Sequence, residues 1–272
     1  MFWYGEYVKW FYLLLYLGLG LAGGSFLNVL IYRVPLGKSL FDPPSHCPHC
    51  GHLIPWHDNI PLLSFFYLRG RCRFCQNPIS WRYPVVELAT VAIFLSVHLT
   101  QPLTHAQKAY YIYFLCVMLA LFFIDLEQGI IPDAISYPSL GVGFIGRFLF
   151  FPWYSSLLNG VLGGIFYAGV IAGIRWVGTK IFGREAMGVG DIYMAGIIGL
   201  FLGWRLSIPS LFLAFLAGGA YAFPLLLSQW LRWKYRPYQE VKFAPFLALG
   251  AVLSFFYGEN LISWYLYYTF GL

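Results

Sequence analysis

Two aspartates, Asp125 and Asp191, stand where long apolar runs meet polar loops, within Ile124-Asp125-Leu126-Glu127 and Gly188-Val189-Gly190-Asp191. Only 10% of the 272 residues are charged, and a carboxylate beside a bilayer-length apolar run is costly enough to need a reason. Two carboxylates brought together share one proton, so that one activates water while the other donates to a carbonyl. That is the chemistry of an aspartic endopeptidase, and Asp125 and Asp191 are its candidate catalytic residues. Gly188 and Gly190 beside Asp191 read either as a flexible helix entry or, with no side chain in the way, as room for an extended substrate strand; the second reading makes them candidate substrate-binding residues. A second constellation is Cys47-Pro48-His49-Cys50 and Cys72-Arg73-Phe74-Cys75, separated by 21 residues. Paired CxxC knuckles present four thiolates to one tetrahedral ion, so Cys47, Cys50, Cys72 and Cys75 are candidate zinc ligands. Four thiolates close the coordination sphere, which makes the zinc structural. His46, His49, His52 and His57 then read as solvated neighbours, and Cys116 as a small packing residue.

The elements that position these groups are read from hydropathy. With 60% hydrophobic and 21% aromatic residues, the chain lies outside the soluble range. At roughly 20 apolar residues per crossing it has room for about eight membrane helices. The expected spans are 7–32, 85–101, 108–126, 135–151, 157–178, 190–206, 209–230 and 244–265, with Pro209 opening the seventh. The fold class is therefore an all-α polytopic membrane protein with a small four-cysteine zinc domain. The expected parts are a first helix over 1–32, a cytoplasmic zinc loop over 33–84 and a seven-helix core over 85–272. No secretory signal peptide is expected, because the first apolar run lacks a basic lead-in and continues past Ala22 to Ser25. No internal repeat stands out.

Charge sets the orientation. Alternate loops hold twelve basic residues: Arg33, Lys38, Arg69, Arg71, Arg73, Arg82, Lys180, Arg184, Arg232, Lys234, Arg236 and Lys242. The opposite side holds Lys9, Lys108 and Arg205, with Arg147 and Arg175 inside spans. Twelve against three places the 33–84 loop in the cytoplasm and both termini outside. Asp125 and Asp191 then fall on the cytoplasmic side together. The net charge of +6 is explained by this asymmetry, so no nucleic-acid partner is inferred; the bilayer is the partner. Tyr110, Tyr111, Tyr113, Trp264, Tyr265, Tyr267 and Tyr268 read as interfacial aromatic belts. Small residues such as Gly160, Gly164, Ala168 and Gly196 read as close helix contacts.

With these residues assembled, the chain resembles the type IV prepilin peptidase family, the leader peptidases and N-methyltransferases of pilus and type II secretion systems. Gly24-Ser25-Phe26-Leu27-Asn28-Val29-Leu30-Ile31-Tyr32-Arg33 is similar to the family's opening motif. The stretch from Cys47 through Asn59-Ile60-Pro61 and Leu68-Arg69-Gly70-Arg71-Cys72 to Arg82-Tyr83-Pro84-Val85-Val86-Glu87-Leu88 is similar to its cytoplasmic domain. Ile124-Asp125 through Ile131-Pro132-Asp133, and the GxGD string ending at Asp191, are similar to its two catalytic motifs. The chain departs from the family at Ile192-Tyr193, where an aromatic residue and then Lys are usual. It departs again at Lys242-Phe243-Ala244-Pro245-Phe246, in place of Pro-Phe-Gly-Pro-Phe. The resemblance implies a bacterial inner-membrane enzyme that removes the basic leader of prepilins or pseudopilins at the cytoplasmic face. It also implies methylation of the new N-terminus with S-adenosylmethionine; no GxGxxG fingerprint supports that step independently. The helix dipoles assign the base to Asp191 and the acid to Asp125. Two other classes fit the residues less well: an ion-coupled transporter, whose acids would spread through the membrane depth, and a non-enzymatic zinc-loop scaffold, which would tolerate loss of either aspartate.

Overall fold

The computed structural model describes residues 2–185, 187–232 and 242–271, so the expected loop charges Lys234 and Arg236 lie outside the described residues. Among the described residues eight α-helices run in order: α1 Phe2–Arg33, α2 Leu63–Tyr67, α3 Arg82–Thr100, α4 His105–Gln128, α5 Asp133–Phe150, α6 Trp153–Phe182, α7 Val189–Arg232 and α8 Ala244–Phe270. Among the described residues there is no strand; two isolated bridges, His46 with Leu53 and Arg71 with Pro78, are the extended pairings. Six helices (α1, α3, α4, α6, α7 and α8) are long and apolar enough to cross a membrane. The chain forms two compact units, Met1–Ala120 and Leu121–Leu272, described in turn.

In the first unit α1 and α3 pack antiparallel along a stripe of residues four apart. A Cβ at Gly20 would lie 2.9 Å from the Val91 Cα, and one at Gly24 would lie 2.7 Å from the Glu87 Cα. One turn further, the Asn28 amide donates to the Tyr83 carbonyl at 3.1 Å. Gly20, Gly24 and Asn28 therefore face Val91, Glu87 and Tyr83, and the two glycines let backbone touch backbone. Between these helices the loop is built around α2, whose buried Phe65 meets Trp81 with ring centroids 4.9 Å apart. Arg33 ends α1 by donating to the Ser39, Leu40, Pro43 and Pro44 carbonyls, which ties the chain leaving the helix to its last turn.

In the second unit α7 has 44 residues, about 66 Å if straight and twice a bilayer core. It is not one rod. Gly203, at φ 81° and ψ 168°, breaks it, and the halves fold back on each other. Before the break, Gly196 and Gly199 lie against Gly164 and Gly163 of α6; after it, Ser210 meets the Tyr167 hydroxyl of the same helix at 3.3 Å. The second half packs on α8, where a Cβ at Gly250 would fall 2.8 Å from the Ala214 nitrogen, and Ser254 donates to the Leu206 carbonyl at 2.7 Å. The expected break at Pro209 is corrected: Pro209 lies inside the second half and the chain turns six residues earlier. Three groups make Gly203 the turning point. Its positive φ suits glycine, Asn159 accepts the Trp204 N–H at 2.9 Å, and buried Arg147 takes the carbonyls released on the other side.

Candidate functional site

Asp125 occupies the last turn of α4, and Gly129, in the left-handed conformation at φ 71°, ends that helix by donating its N–H to the Asp125 carbonyl. Asp191 sits in the first turn of α7. Both carboxylates are buried, Asp125 to 6% exposure and Asp191 to 9%. They are electrostatic neighbours: Asp125 acts on Asp191 as a like charge. Asp125 Oδ2 is shielded from solvent and has no hydrogen-bond partner, whereas the Asp191 carboxylate lies beside Gly188, 3.5 Å from where a Cβ would stand. Three further acids, Glu127, Asp133 and Glu185, are exposed.

The two glycines of the string differ. A Cβ on Gly190 would fall 2.7 Å from the Ile131 Cβ, so the segment joining α4 to α5 occupies the space it leaves. Around Gly188 the nearest side-chain atom is the Asp191 carboxylate oxygen at 3.5 Å, and the rest is open. Two basic residues serve this region. Lys242, immediately before α8, donates to the Leu126 carbonyl at 2.9 Å and presents an opposite charge to Asp125. Arg175 of α6 donates to the Met187 carbonyl at 2.9 Å and pairs with Glu185 at 2.8 Å, pinning the segment that enters the Gly188-Asp191 turn. In the chain Lys242 reads as a topology-setting charge and Arg175 as an unassigned span residue. A cation near a helix C-terminus was the available clue for Lys242; nothing local pointed to Arg175.

In the first unit the four expected cysteines converge, and their sulfurs all lie within 4.8 Å of one another. The Cys47 and Cys75 sulfurs are 3.8 Å apart, about the edge of a tetrahedron with metal–sulfur bonds near 2.3 Å. The donor set thus fits one tetrahedral thiophilic ion. The two knuckles repeat one backbone pattern at an offset of 25 residues, from 47 to 72, which the sequence reading does not register. Cys47 N–H donates to the His52 carbonyl as Cys72 N–H donates to that of Asn77, and Ile54 to Ser45 as Ile79 to Gly70. Gly51 and Gln76 hold the same left-handed position, at φ 71° and 59°. The N–H groups of Cys75 and Phe74 draw the Cys72 thiol down to about 7, toward the thiolate a metal requires. Of the expected bystanders, His46 bonds the Pro44 carbonyl and His52 stacks on Phe74 at 4.5 Å. Asp58, in the turn Trp56–Asn59, grips Arg73 of the second knuckle through two bonds of 2.6 and 2.5 Å. This pair holds the Asp58 carboxyl below the ordinary range.

Comparison with known proteins bears on the whole chain. Residues 19–101 match the bacterial peptidase A24 N-terminal domain and residues 112–223 the type IV leader peptidase family. A protein of Aeromonas hydrophila named prepilin leader peptidase/N-methyltransferase is 33% identical across 95% of both chains. A Klebsiella pneumoniae protein of that name is 39% identical over 72% of this chain and 87% of its own. One from Myxococcus xanthus is 38% identical over 77% of this chain and 62% of its own. No solved structure matches. Together with the apolar helices these relatives make the protein a multi-pass membrane protein. Similarity that spans the cysteine loop and both aspartate strings, in one order and over nearly the full length, leaves one assignment: the chain belongs to the type IV leader peptidase family.

Proposed function

We propose that the protein removes the basic leader of type IV prepilins or pseudopilins at the cytoplasmic face of the bacterial inner membrane, and then methylates the exposed amine. The observation that carries the reading is the pairing of two buried carboxylates, Asp125 and Asp191, at the last turn of one helix and the first turn of another. Their mutual repulsion keeps one proton between them. Asp191, at a helix N-terminus, is the base that activates water, and Asp125, at a C-terminus, is the acid that protonates the scissile carbonyl. Each dipole contributes about 0.3–1 kcal/mol to that assignment, and the pair titrates as a unit. Gly188 is where an extended substrate strand approaches the carboxylates; Gly190 acts by admitting Ile131. An ion-coupled transporter is not favoured, because these acids stand at helix ends rather than through the membrane depth.

The loop over 33–84 folds around a structural zinc held by Cys47, Cys50, Cys72 and Cys75, with no coordination position left for substrate. A loop with so small a core draws its folding energy from the metal. The methyl donor is S-adenosylmethionine, which supplies an electrophilic methyl group to an amine.

The test is incubation of the detergent-solubilised protein with a model prepilin and S-adenosylmethionine, reading the product N-terminus by mass. Asp125→Asn and Asp191→Asn are each expected to slow cleavage by at least about 100-fold. Near wild-type cleavage by either variant removes the dyad.

A further inference from the structure

We propose that a cleft in the first unit binds a protonated α-amino group between the Asn28 side-chain carbonyl and the Glu87 carboxylate. The cleft has a volume of about 100 Å³, room for an amino group rather than for a whole small ligand, and is lined by the end of α1, the start of α3 and the first knuckle, including Asn28, Tyr32, Arg33, His46, Tyr83 and Glu87.

Asn28 is only 2% exposed. Its amide nitrogen donates to the Gly24 and Tyr83 carbonyls at 3.3 and 3.1 Å. Those two acceptors fix which end of the amide is the nitrogen and leave Oδ1 buried without a partner. A buried acceptor in that state carries an uncompensated desolvation cost, which a ligand donor would recover. Glu87, 8% exposed, accepts one backbone N–H, from Leu62 at 2.7 Å. Leu62 holds a positive φ of 62° to deliver it. Among the described residues no basic side chain forms an ion pair with Glu87.

The cations that line the cleft are committed elsewhere. The Arg33 guanidinium is spent on four loop carbonyls, and His46 Nδ1 faces the Pro44 carbonyl. The Tyr32 and Tyr83 rings already carry Lys38 at 5.6 Å and Arg82 at 4.9 Å, so what the cleft leaves unmet is acceptor character with one negative charge. That combination selects a compact group bearing several N–H donors. The Gly20-Gly24 stripe supports the assignment. By bringing the α1 and α3 backbones together it puts Asn28 and Glu87 in one wall, and neither glycine position admits a Cβ without displacing a helix.

The proposal deepens the methyl-transfer reading and rests on it for the ligand's origin. Two reactants of that step carry an α-amino group: S-adenosylmethionine, on its methionine portion, and the newly exposed peptide N-terminus. Binding to the full-length protein in detergent separates them. One arm measures tritiated S-adenosylmethionine by equilibrium dialysis. The other measures a fluorescent peptide with the sequence of a mature pilin N-terminus, with its amine free or acetylated, by anisotropy. Glu87→Gln is expected to weaken one of the two free-amine probes at least tenfold, and Glu87→Asp, which keeps the charge, to weaken it less.

If the affected probe is the peptide, acetylation reproduces the loss in the wild type; if it is S-adenosylmethionine, acetylation is without effect. Zinc content and melting temperature verify that the variants are folded. Binding of both probes within twofold of wild type in folded Glu87→Gln overturns the proposal, as does a wild type that binds neither. Methylation of pre-cleaved peptide, followed separately, tests the parent reading. Its absence alongside intact amine-selective binding would sink methyl transfer and leave the site. Its presence with Glu87-independent binding would sink the site and leave methyl transfer.

Discussion

Arg147→Leu tests the account of the broken helix most directly. Arg147 lies in α5 at 5% exposure and reaches the turn at Gly203. Its Nε donates to the Leu200 carbonyl at 3.0 Å, one Nη to the Phe201 carbonyl and the other to the Ser156 hydroxyl at 3.2 Å. In an unbroken helix the Leu200 carbonyl would accept from the Trp204 N–H, but that donor is turned to Asn159. Leucine would leave two buried carbonyls unpaired at about 1–3 kcal/mol each. Release of the guanidinium from its own desolvation returns part of this, so the net loss is about 2–4 kcal/mol. At about 2–4 °C per kcal/mol for a chain of this size, the melting temperature falls by about 5–15 °C. Arg147→Lys, which keeps the charge and loses the fork, should fall between. The assay is thermal unfolding in detergent, followed by the fluorescence of the 10 tryptophans. Arg147→Leu melting within about 1 °C of wild type would refute the claim that this side chain satisfies the turn. Asn159→Leu perturbs the same turn from its other side. Its effect combined with Arg147→Leu should be non-additive, since both act on one structural unit.

Two further outcomes are expected. Gly190→Ala drives a methyl group against Ile131, an overpacking cost of about 1–3 kcal/mol placed beside Asp191. Prepilin cleavage should fall at least tenfold and recover in the Gly190→Ala, Ile131→Ala double variant, and equal rates in the two variants would show that the clash is not the cause. Cys72→Ser should lower bound zinc, measured by atomic absorption, from about one ion per chain to near zero, because a three-thiolate site loses much of its affinity; full zinc occupancy would mean the four sulfurs do not form one site.

The helices were legible from apolar length, and the cysteine quartet from spacing, because both signals are local. Spacing could not say what the neighbouring histidines do; in the structure His46 faces a backbone carbonyl and His52 lies against Phe74. The duplicated knuckle went unread because its halves share little beyond Cys47/Cys72, Cys50/Cys75, Ile54/Ile79 and Trp56/Trp81, whereas what repeats is the backbone hydrogen bonding. Pro209 drew the expected break to itself as the stronger local signal. The chain turns at Gly203 because Asn159 and Arg147, 44 and 56 positions earlier in the chain, meet the backbone groups released there. Lys242 and Arg175 were invisible as site residues for a related reason: each donates to a backbone carbonyl, of Leu126 and of Met187, which carries no side-chain signature, and the carboxylates they face, Asp125 and Glu185, lie 117 and 10 positions away.

By itself the amino-acid order determined a membrane chain of many helices, a four-cysteine loop and two acids at helix ends, since hydropathy and motif spacing act over one turn or one bilayer. Only the tertiary structure decided that Asp125 and Asp191 sit as electrostatic neighbours, that Gly190 is closed by Ile131 while Gly188 stays open, and that Asn28 keeps an unpaired acceptor in the wall it shares with Glu87. Those outcomes depend on which backbones approach closely enough to touch, and in a chain whose interior is mostly apolar that is settled by the placing of glycines and of buried polar groups across helices distant in sequence.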